Sequence, residues 1–308
     1  GATFTATNTT VEMNATGTKL RPVTKVGKFT NLPELLALSA AFTDVVTRDQ
    51  VPVKLPALAG GQRTVVALTP GTEVVDFIAD LGYRADHLDA KNPRRDNILK
   101  IASDGRNVSM DPRMAGLDAP EHTRAAAVAD RIVAVRARHA DRIYTDPLSR
   151  KPMAKPGCFQ LAFCDRGTPK DNGQFSMYAA IKDELVARGV PADEIRFVHE
   201  ASRPSDITVL REQCINGEVS VLIGSTEKMG TGWNVQARLA HLLHVDVPWR
   251  PADLEQREGR ILRQGNQNDE IEISTFVTES SYDTVMWQKV QAKTLFIEQV
   301  RRNEVTDL

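Results

Sequence analysis

The sequence predicts an α/β protein with a parallel sheet that is covered by helices on both faces. From about residue 60 onward, short apolar runs of strand length alternate with longer segments whose apolar residues recur at helical spacing. Glycines and prolines mark the ends of these segments, as at Gly189, Pro191 and Gly217. Such alternation favours parallel strands joined by helical crossovers, which bury both faces of the sheet.

The first sixty residues do not follow this pattern. Threonine is dense up to Thr18, and Pro52 and Pro56 interrupt the segment that follows. We therefore expect residues 1–61 to form an irregular arm that contains one helix. This helix is predicted to start at Asn31-Leu32-Pro33-Glu34, where an asparagine cap and a proline precede apolar residues.

A domain over residues 62–300 contains the remaining elements, and residues 301–308 are predicted to form a tail. Strands are expected over 63–68, 159–164, 195–199, 219–223, 241–246 and 271–277. Helices are expected over 72–81, 121–140 and 175–188, and from Ser205 and Ser280 onward. The polar composition of residues 84–118 predicts an excursion, within which residues 96–101 are expected to be helical.

Composition limits the possible functions. The 308 residues include 39 lysines and arginines against 40 acidic residues, and the net charge of −1 argues against a free-standing basic nucleic-acid-binding module. A composite cleft still needs only a few local cations. No apolar run approaches the ~20 residues of a membrane span, so no membrane partner is expected. The three cysteines lack metal-binding spacing, so we expect reduced thiols, a cytoplasmic location and no metal site.

An arginine-rich segment carries the clearest functional signal. Gln256, Arg260 and Arg263 follow one another at steps of four and three residues, which places them on one face if the segment is helical. Two guanidiniums and an amide on a common face suit a polyphosphate, because guanidinium N–H groups match phosphate oxygens. The alternative is a solvated face on which Glu255 and Glu258 pair with the arginines.

A glycine- and hydroxyl-rich loop precedes this segment. The apolar run 219–223 leads into residues 224–234, where glycines expose backbone N–H groups and Ser225 and Thr226 add hydroxyl donors. Such donors bind nucleic-acid phosphates without reading the bases, and Lys228 adds a positive charge. The alternative is an ordinary turn between a strand and a helix.

Three motifs in this order resemble those of the second RecA-like lobe of superfamily-two helicases and translocases, in their Swi/Snf-like branch. The resemblance covers about residues 155–300, nearly half the chain. The residues that carry it are Ser225-Thr226 with Gly230, Gly232 and Asn234, then Asp246, Trp249 and Pro251, and finally Gln256, Arg260 and Arg263.

The resemblance implies a role for each group of residues. Arg263 is expected to be the arginine finger on the γ-phosphate of ATP, with Arg260 as a supporting donor. Nucleotide contacts are expected from Gln256, Gly230, Gly232 and Asn234. Nucleic-acid contacts are expected from Ser225, Thr226, Lys228, Asp165, Arg166 and Trp249. For Asp165, Arg166 and Trp249, the alternative to a nucleic-acid contact is simple packing in the domain.

The parts that hold the phosphates of ATP are missing from the sequence. A phosphate loop requires Gly-x-x-x-x-Gly-Lys-Ser/Thr, and the nearest segment, which starts at Gly224, has Met229 at the second glycine. Asp246 is followed by Val247 rather than by a second acid, which favours a structural turn over a Mg²⁺ ligand. The resemblance therefore implies that ATP and Mg²⁺ are shared with an N-terminal RecA-like lobe of the same full-length protein, and that this chain does not hydrolyse ATP alone.

Because the chain begins at Gly1 within a Thr- and Asn-rich stretch, we interpret it as a piece of a longer protein.

A second resemblance is to large plasmid- and phage-borne bacterial proteins that combine an adenine-specific DNA methyltransferase region with a Swi/Snf-like helicase region. The segments Gly224–Gly230 and Pro248–Arg260 carry it. It implies duplex DNA as a partner, contacted through the backbone, and a role in DNA modification. Asn266 departs from the pattern, since glutamine often occupies this place. Two other functions stay open: a non-catalytic RecA-like binding or regulatory module, and a nucleotide-binding enzyme complete in itself.

Overall fold

The computed structural model describes residues 5–13, 20–29, 34, 37–38, 41–42, 53–88, 96–170, 173–229 and 233–302. The strands in these ranges are β1 (Thr5–Met13), β2 (Leu20–Phe29), β3 (Ala57–Leu58), β4 (Thr64–Leu68), β5 (Phe159–Phe163), β6 (Ile195–Phe197), β7 (Val221–Gly224), β8 (Leu239–His244) and β9 (Glu270–Thr278). The α-helices are α1 (Thr72–Asp86), α2 (Ile98–Met110), α3 (Arg124–Arg138), α4 (Met177–Ala187), α5 (Pro204–Asn216), α6 (Thr226–Met229), α7 (Pro251–Glu258) and α8 (Tyr282–Arg302).

A seven-stranded sheet forms the centre of the molecule. Its order is β6-β7-β5-β8-β9, and both β3 and β4 pair with β9 at the far edge. Every pairing in this sheet is parallel. The predicted RecA-like α/β arrangement, a parallel sheet with helices on both faces, is confirmed.

The two faces of β5 show how the sheet is covered. Side chains alternate along a strand, and Phe159, Leu161 and Phe163 pack in the core that includes the buried residues of α5. Ala162 points the other way, into the core formed with α3 and α4. Because both faces are buried, the strand is an uninterrupted apolar run apart from Gln160, whose amide donates to the Ile132 carbonyl oxygen.

The prediction that residues 1–61 are irregular is wrong for two of its segments. Strands β1 and β2 pair antiparallel, with Thr5 opposite Phe29 and Met13 opposite Leu20. The threonines that were taken as a sign of irregular structure are β-branched, and β-branched residues favour extended backbone. The helix predicted at Asn31–Glu34 lies largely outside the described residues.

The predicted polar excursion over residues 84–118 is instead part of the domain. Helix α2 lies within it, and its Ile101 and Val108 are buried. Gly105 permits close packing against α8, because a Cβ at this position would lie 3.2 Å from the Tyr282 ring. Charged residues are frequent in this segment and concealed its apolar spacing. Several of them form ion pairs between α1 and α2, where Arg84 binds Asp96 and Asp104.

The remaining helices agree with the sequence except at their ends. Val128, Ile132 and Val135 form the fully buried stripe of α3 as predicted. Helix α8 begins two residues later than predicted, because Ser281 rather than Ser280 caps it by accepting from the Asp283 N–H. Among the described helices, none combines the length and the apolar character that crossing a membrane requires.

The packing of α2 predicts a contrast between two of its residues. Ile101→Ala should lower the free energy of unfolding by about 2–5 kcal/mol, because a buried side chain is lost and a cavity remains. Leu99→Ala on the same helix should have little effect, since Leu99 is 76% exposed. Urea unfolding followed by circular dichroism measures both. Equal effects of the two changes would contradict the placement of α2 in the domain.

Candidate nucleotide and nucleic-acid site

The candidate site lies where the parallel strands β5, β7 and β8 end. Asp165 and Arg166 follow β5, Thr226 follows β7, and Asp246 follows β8. In open α/β sheets, ligands bind at the carboxyl edge of the strands. The predicted motifs that are far apart in the sequence therefore meet at one edge of the sheet.

Arg257 of α7 connects these strand ends. Its side chain is fully buried, and its Nη2 donates to Asp165 Oδ2 at 2.7 Å and to Asp246 Oδ1 at 2.9 Å. Its Nε donates to Thr226 Oγ1 at 2.8 Å, and its Nη1 donates to the Asp246 carbonyl oxygen at 3.0 Å. One guanidinium thus joins the ends of three strands to α7, and we call these four residues the Arg257 cluster.

The two carboxylates of the cluster also hold backbone. Asp246 Oδ2 accepts from the N–H groups of Asp165 and Arg166, at 2.7 and 3.1 Å. Asp165 accepts from the N–H and the hydroxyl of Thr226. Burial raises the pKa of Asp246. Burial also opposes ionisation of Asp165, but the charge of Arg257 and the Thr226 donors outweigh it and lower the pKa of Asp165.

A second buried layer lies beside the cluster. The Arg257 Nη1 is 3.5 Å from His244 Nδ1, and because arginine only donates, this nitrogen is the acceptor. The His244 Nε2 then carries the proton and donates to Glu258 Oε1 at 3.2 Å. Arg63 also donates to the Glu258 carboxylate, at 2.6 and 2.8 Å. Burial alone would raise the pKa of Glu258, but the donors from His244 and Arg63 lower it to about 2.

The expected common helical face of Gln256, Arg260 and Arg263 is not observed. Helix α7 ends at Glu258, and the chain continues through tight turns in which the Arg260 N–H donates to the Arg257 carbonyl oxygen. Gln256 is exposed, whereas Arg260 and Arg263 are partly buried beyond the helix. Burial and the charge of Arg263 both lower the pKa of Arg260.

The loop after β7 is fixed at both ends. The Ser225 hydroxyl accepts from the Lys228 N–H at 3.3 Å, and Trp233 Nε1 donates to the Lys228 carbonyl oxygen at 3.0 Å. The side chains of Lys228 and Asn234 are exposed. Gly230 and Gly232 lie outside the described residues. The predicted ligand contacts of this loop stay predictions.

A basic cleft of about 740 Å³ opens beside Asp165. We define the basic cleft by four cations and two aromatic rings, namely Arg106, Arg113, Arg166, Lys170, Phe175 and Trp249. The Arg106 guanidinium lies 5.3 Å from the centre of the Trp249 ring, and that of Arg113 lies 4.1 Å from the Phe175 ring. The cleft therefore combines positive charge with flat apolar surfaces.

Of the residues predicted to contact nucleic acid, Arg166 and Trp249 line the basic cleft. The Asp165 carboxylate also borders it, but this side chain is only 32% exposed and is bonded to Arg257. Sequence reasoning missed Arg106, Arg113 and Arg257. The first two lie in the segment taken for an excursion. Arg257 follows the buried Leu254 by three residues, a spacing that would have indicated its inward orientation.

Comparison with known proteins gives a limited match. No family model matches the chain. It is 47% identical over 53 residues to the "Uncharacterized ATP-dependent helicase YqhH" of Bacillus subtilis, and this stretch spans 17% of the chain and 9% of that protein.

Solved structures with local similarity include three helicase chains. The C-terminal domain of the DEAD-box protein Dbp5 is 13% identical, with a TM-score of 0.36 over 55% of this chain and 77% of that one. S. cerevisiae Dbp5 bound to RNA and ADP BeF3 is 12% identical, with a TM-score of 0.38 over 59% and 42%. The DUF1998 helicase MrfA bound to DNA is 12% identical, with a TM-score of 0.38 over 57% and 21%.

The Arg257 cluster predicts a large effect of one substitution. Arg257→Met should lower the free energy of unfolding by about 3–5 kcal/mol, because it leaves the Asp165 and Asp246 carboxylates without their cation. Arg203→Met is the matched control, because the Arg203 side chain is 79% exposed and should change stability little. Guanidinium unfolding compares the two variants. Similar stabilities would show that the cluster is not required for the fold.

Burial of His244 predicts acid sensitivity. Burial lowers the pKa of His244 to about 4 from its ordinary 6.5, so between these values the unfolded chain binds a proton that the folded chain does not. Stability should therefore be complete above pH 6.5 and should fall by about 3 kcal/mol as the pH drops to 4. Unfolding of the wild type and His244→Gln across this range isolates the contribution of His244. Parallel pH profiles of the two proteins would refute it.

Proposed function

We propose that this chain is the second motor lobe of an ATP-dependent, nucleic-acid-stimulated helicase or translocase. ATP and Mg²⁺ bind between this lobe and an N-terminal RecA-like lobe of the same full-length protein. Arg263 is the arginine finger, and Arg260 is the supporting donor. Gln256, Asn234 and the loop glycines contact the nucleotide.

The observation that carries this proposal is the contact between the arginine segment and the loop that follows β7. The Arg260 Nη1 donates to the Trp233 carbonyl oxygen at 3.4 Å, so this guanidinium lies beside the loop that is predicted to contact the nucleotide. A polyphosphate at this place would accept hydrogen bonds from Arg260 and Arg263. A pairing of Glu258 with these two arginines receives less support, because the Glu258 carboxylate is bonded to Arg63 and His244.

The Arg257 cluster supports a link between nucleotide and nucleic acid. Arg257 lies three residues before Arg260 in the chain, and it binds Thr226 of the loop and Asp165 beside the basic cleft. A change in the position of the arginines would therefore act directly on both predicted nucleic-acid contacts. The match to a stretch of an ATP-dependent helicase agrees with a motor function.

The Swi/Snf-like branch is an inference from the motif order alone. Duplex DNA as the nucleic acid and an adenine methyltransferase region in the same full-length protein are inferences from the second resemblance, which the segments Gly224–Gly230 and Pro248–Arg260 carry. A non-catalytic RecA-like module is the competing function, and the ATPase measurement below separates the two.

We expect Arg263→Ala in the full-length protein to lower the kcat of nucleic-acid-stimulated ATP hydrolysis by roughly 10³-fold or more. The loss should fall on kcat rather than on KM, because the finger stabilises charge that develops in the transition state. Steady-state phosphate release measures both constants.

Two controls accompany this experiment. Arg203→Ala removes an exposed arginine immediately before α5 and should leave the rate unchanged. Thermal unfolding of Arg263→Ala should match the wild type, so that a loss of rate reports on catalysis. A wild-type rate in folded Arg263→Ala would reject the arginine-finger role, and a full-length protein without ATPase activity would favour the binding module.

A further inference from the structure

We propose that the basic cleft binds an unpaired segment of a nucleic-acid strand, with phosphates on its cations and a base against Trp249. This inference rests on the proposed function, since a nucleic-acid motor gives a strand its reason to enter the cleft. It adds the class of strand and assigns Arg106, Arg113 and Lys170, which carry no role in the motor motifs.

Three of the cations in the cleft have neutral hydrogen-bond partners. Arg106 donates to the Val247 carbonyl oxygen at 3.0 Å, Arg166 to the Asn107 amide oxygen at 2.5 Å, and Lys170 to the Gln174 amide oxygen at 2.9 Å. Among the described residues, these partners are neutral and no carboxylate forms an ion pair with any of the three. Such a cluster attracts a polyanion more strongly than paired charges do.

The fourth cation is arranged differently. Arg113 binds the buried Asp111 carboxylate through Nε and Nη2, both at 2.8 Å, and its guanidinium lies over the Phe175 ring. This pairing fixes the plane of the guanidinium and leaves Nη1 as a hydrogen-bond donor. Arg113 therefore contributes an oriented hydrogen-bond donor to the cleft, whereas its net charge is balanced by Asp111.

Repulsion inside the cleft supports an anionic ligand. Arg106 and Arg166 line the same cleft, and burial and the charge of Arg106 both lower the pKa of Arg166, although the charge of Asp246 opposes them. The Arg166 Nε is also buried without a hydrogen-bond partner among the described residues. Within the part of the chain that the structure describes, Asp165 is the one carboxylate that lines the cleft, and it already accepts from Arg257 and Thr226.

The aromatic surface distinguishes an unpaired strand from a duplex. Trp249 is 53% exposed although Arg106 lies over its ring, and an exposed indole offers a flat face to a base. Base faces are hidden inside the stack of a duplex, whereas single strands present them to aromatic side chains. A duplex backbone or a free polyphosphate would use the cations but not this ring.

The test measures binding of the 308-residue chain to oligothymidylate, to a blunt duplex of equal length and to inorganic tripolyphosphate, without ATP. We expect oligothymidylate to bind roughly tenfold more tightly than the duplex, and Trp249→Ala to remove about that factor. Lys170→Gln should lower the slope of log affinity against log salt by about 0.7, the value for one lost phosphate contact on a single strand.

The controls keep the proposal falsifiable. Lys155→Gln removes an exposed lysine before β5, at the opposite edge of the sheet, and should leave the salt slope unchanged. The buried Trp233 and Trp287 report the fold of Trp249→Ala by their fluorescence. Equal binding of duplex and single strand, unchanged binding by folded Trp249→Ala, or an unchanged slope for Lys170→Gln would each overturn the proposal.

The binding test and the ATPase test separate the two proposals. Strand binding that depends on Trp249, together with wild-type ATP hydrolysis by Arg263→Ala, would retain the cleft and reject the motor assignment of Arg263. Loss of hydrolysis by Arg263→Ala, together with strand binding that is unchanged by substitution of Trp249 and Lys170, would retain the motor assignment of Arg263 and reject the cleft.

Discussion

The buried guanidinium of Arg257 is the interaction on which the candidate site depends. A buried cation requires carboxylates and directed acceptors, because its desolvation is costly when it is unpaired. Arg257 obtains them from Asp165, Asp246 and Thr226. The two carboxylates exceed its single charge, and the N–H groups of Asp165, Arg166 and Thr226 stabilise the excess. The turns after three strands are therefore specified together.

This shared anchor has a consequence for the two predicted ligand sites. The Asp246 carboxylate accepts from the Arg166 N–H and so fixes the backbone at Arg166, whose side chain lines the basic cleft. Arg257 fixes the end of α7, from which Arg260 and Arg263 continue. A movement of the arginine segment would have to break or rotate the Arg257 hydrogen bonds, and these bonds also reach Thr226 at the start of the loop. The predicted sites for nucleotide and nucleic acid thus share one support.

The sheet was predictable from the sequence and the Arg257 cluster was not. A run such as 219–223 is mostly apolar because both faces of the sheet are buried, so its pattern is local. The cluster joins Arg257 to Asp165 across 92 positions, and no local spacing encodes such a contact. The helical stripe assigned to Gln256, Arg260 and Arg263 extended a true helix past its end at Glu258. The hairpin of β1 and β2 was missed because its threonines favour a strand without forming an apolar run.

Near-neutral composition also conceals where the charge lies. Many arginines pair with carboxylates on the helical faces of the domain, as Arg136 does with Glu194 and Arg188 with Asp130. Because those charges cancel locally, the net charge of −1 says little about the carboxyl edge of the sheet, where Arg106, Arg166 and Lys170 bind neutral acceptors. Composition therefore excludes a generally basic surface but not a focused one, and a few cations that bind neutral acceptors in one cleft are enough to attract a polyanion.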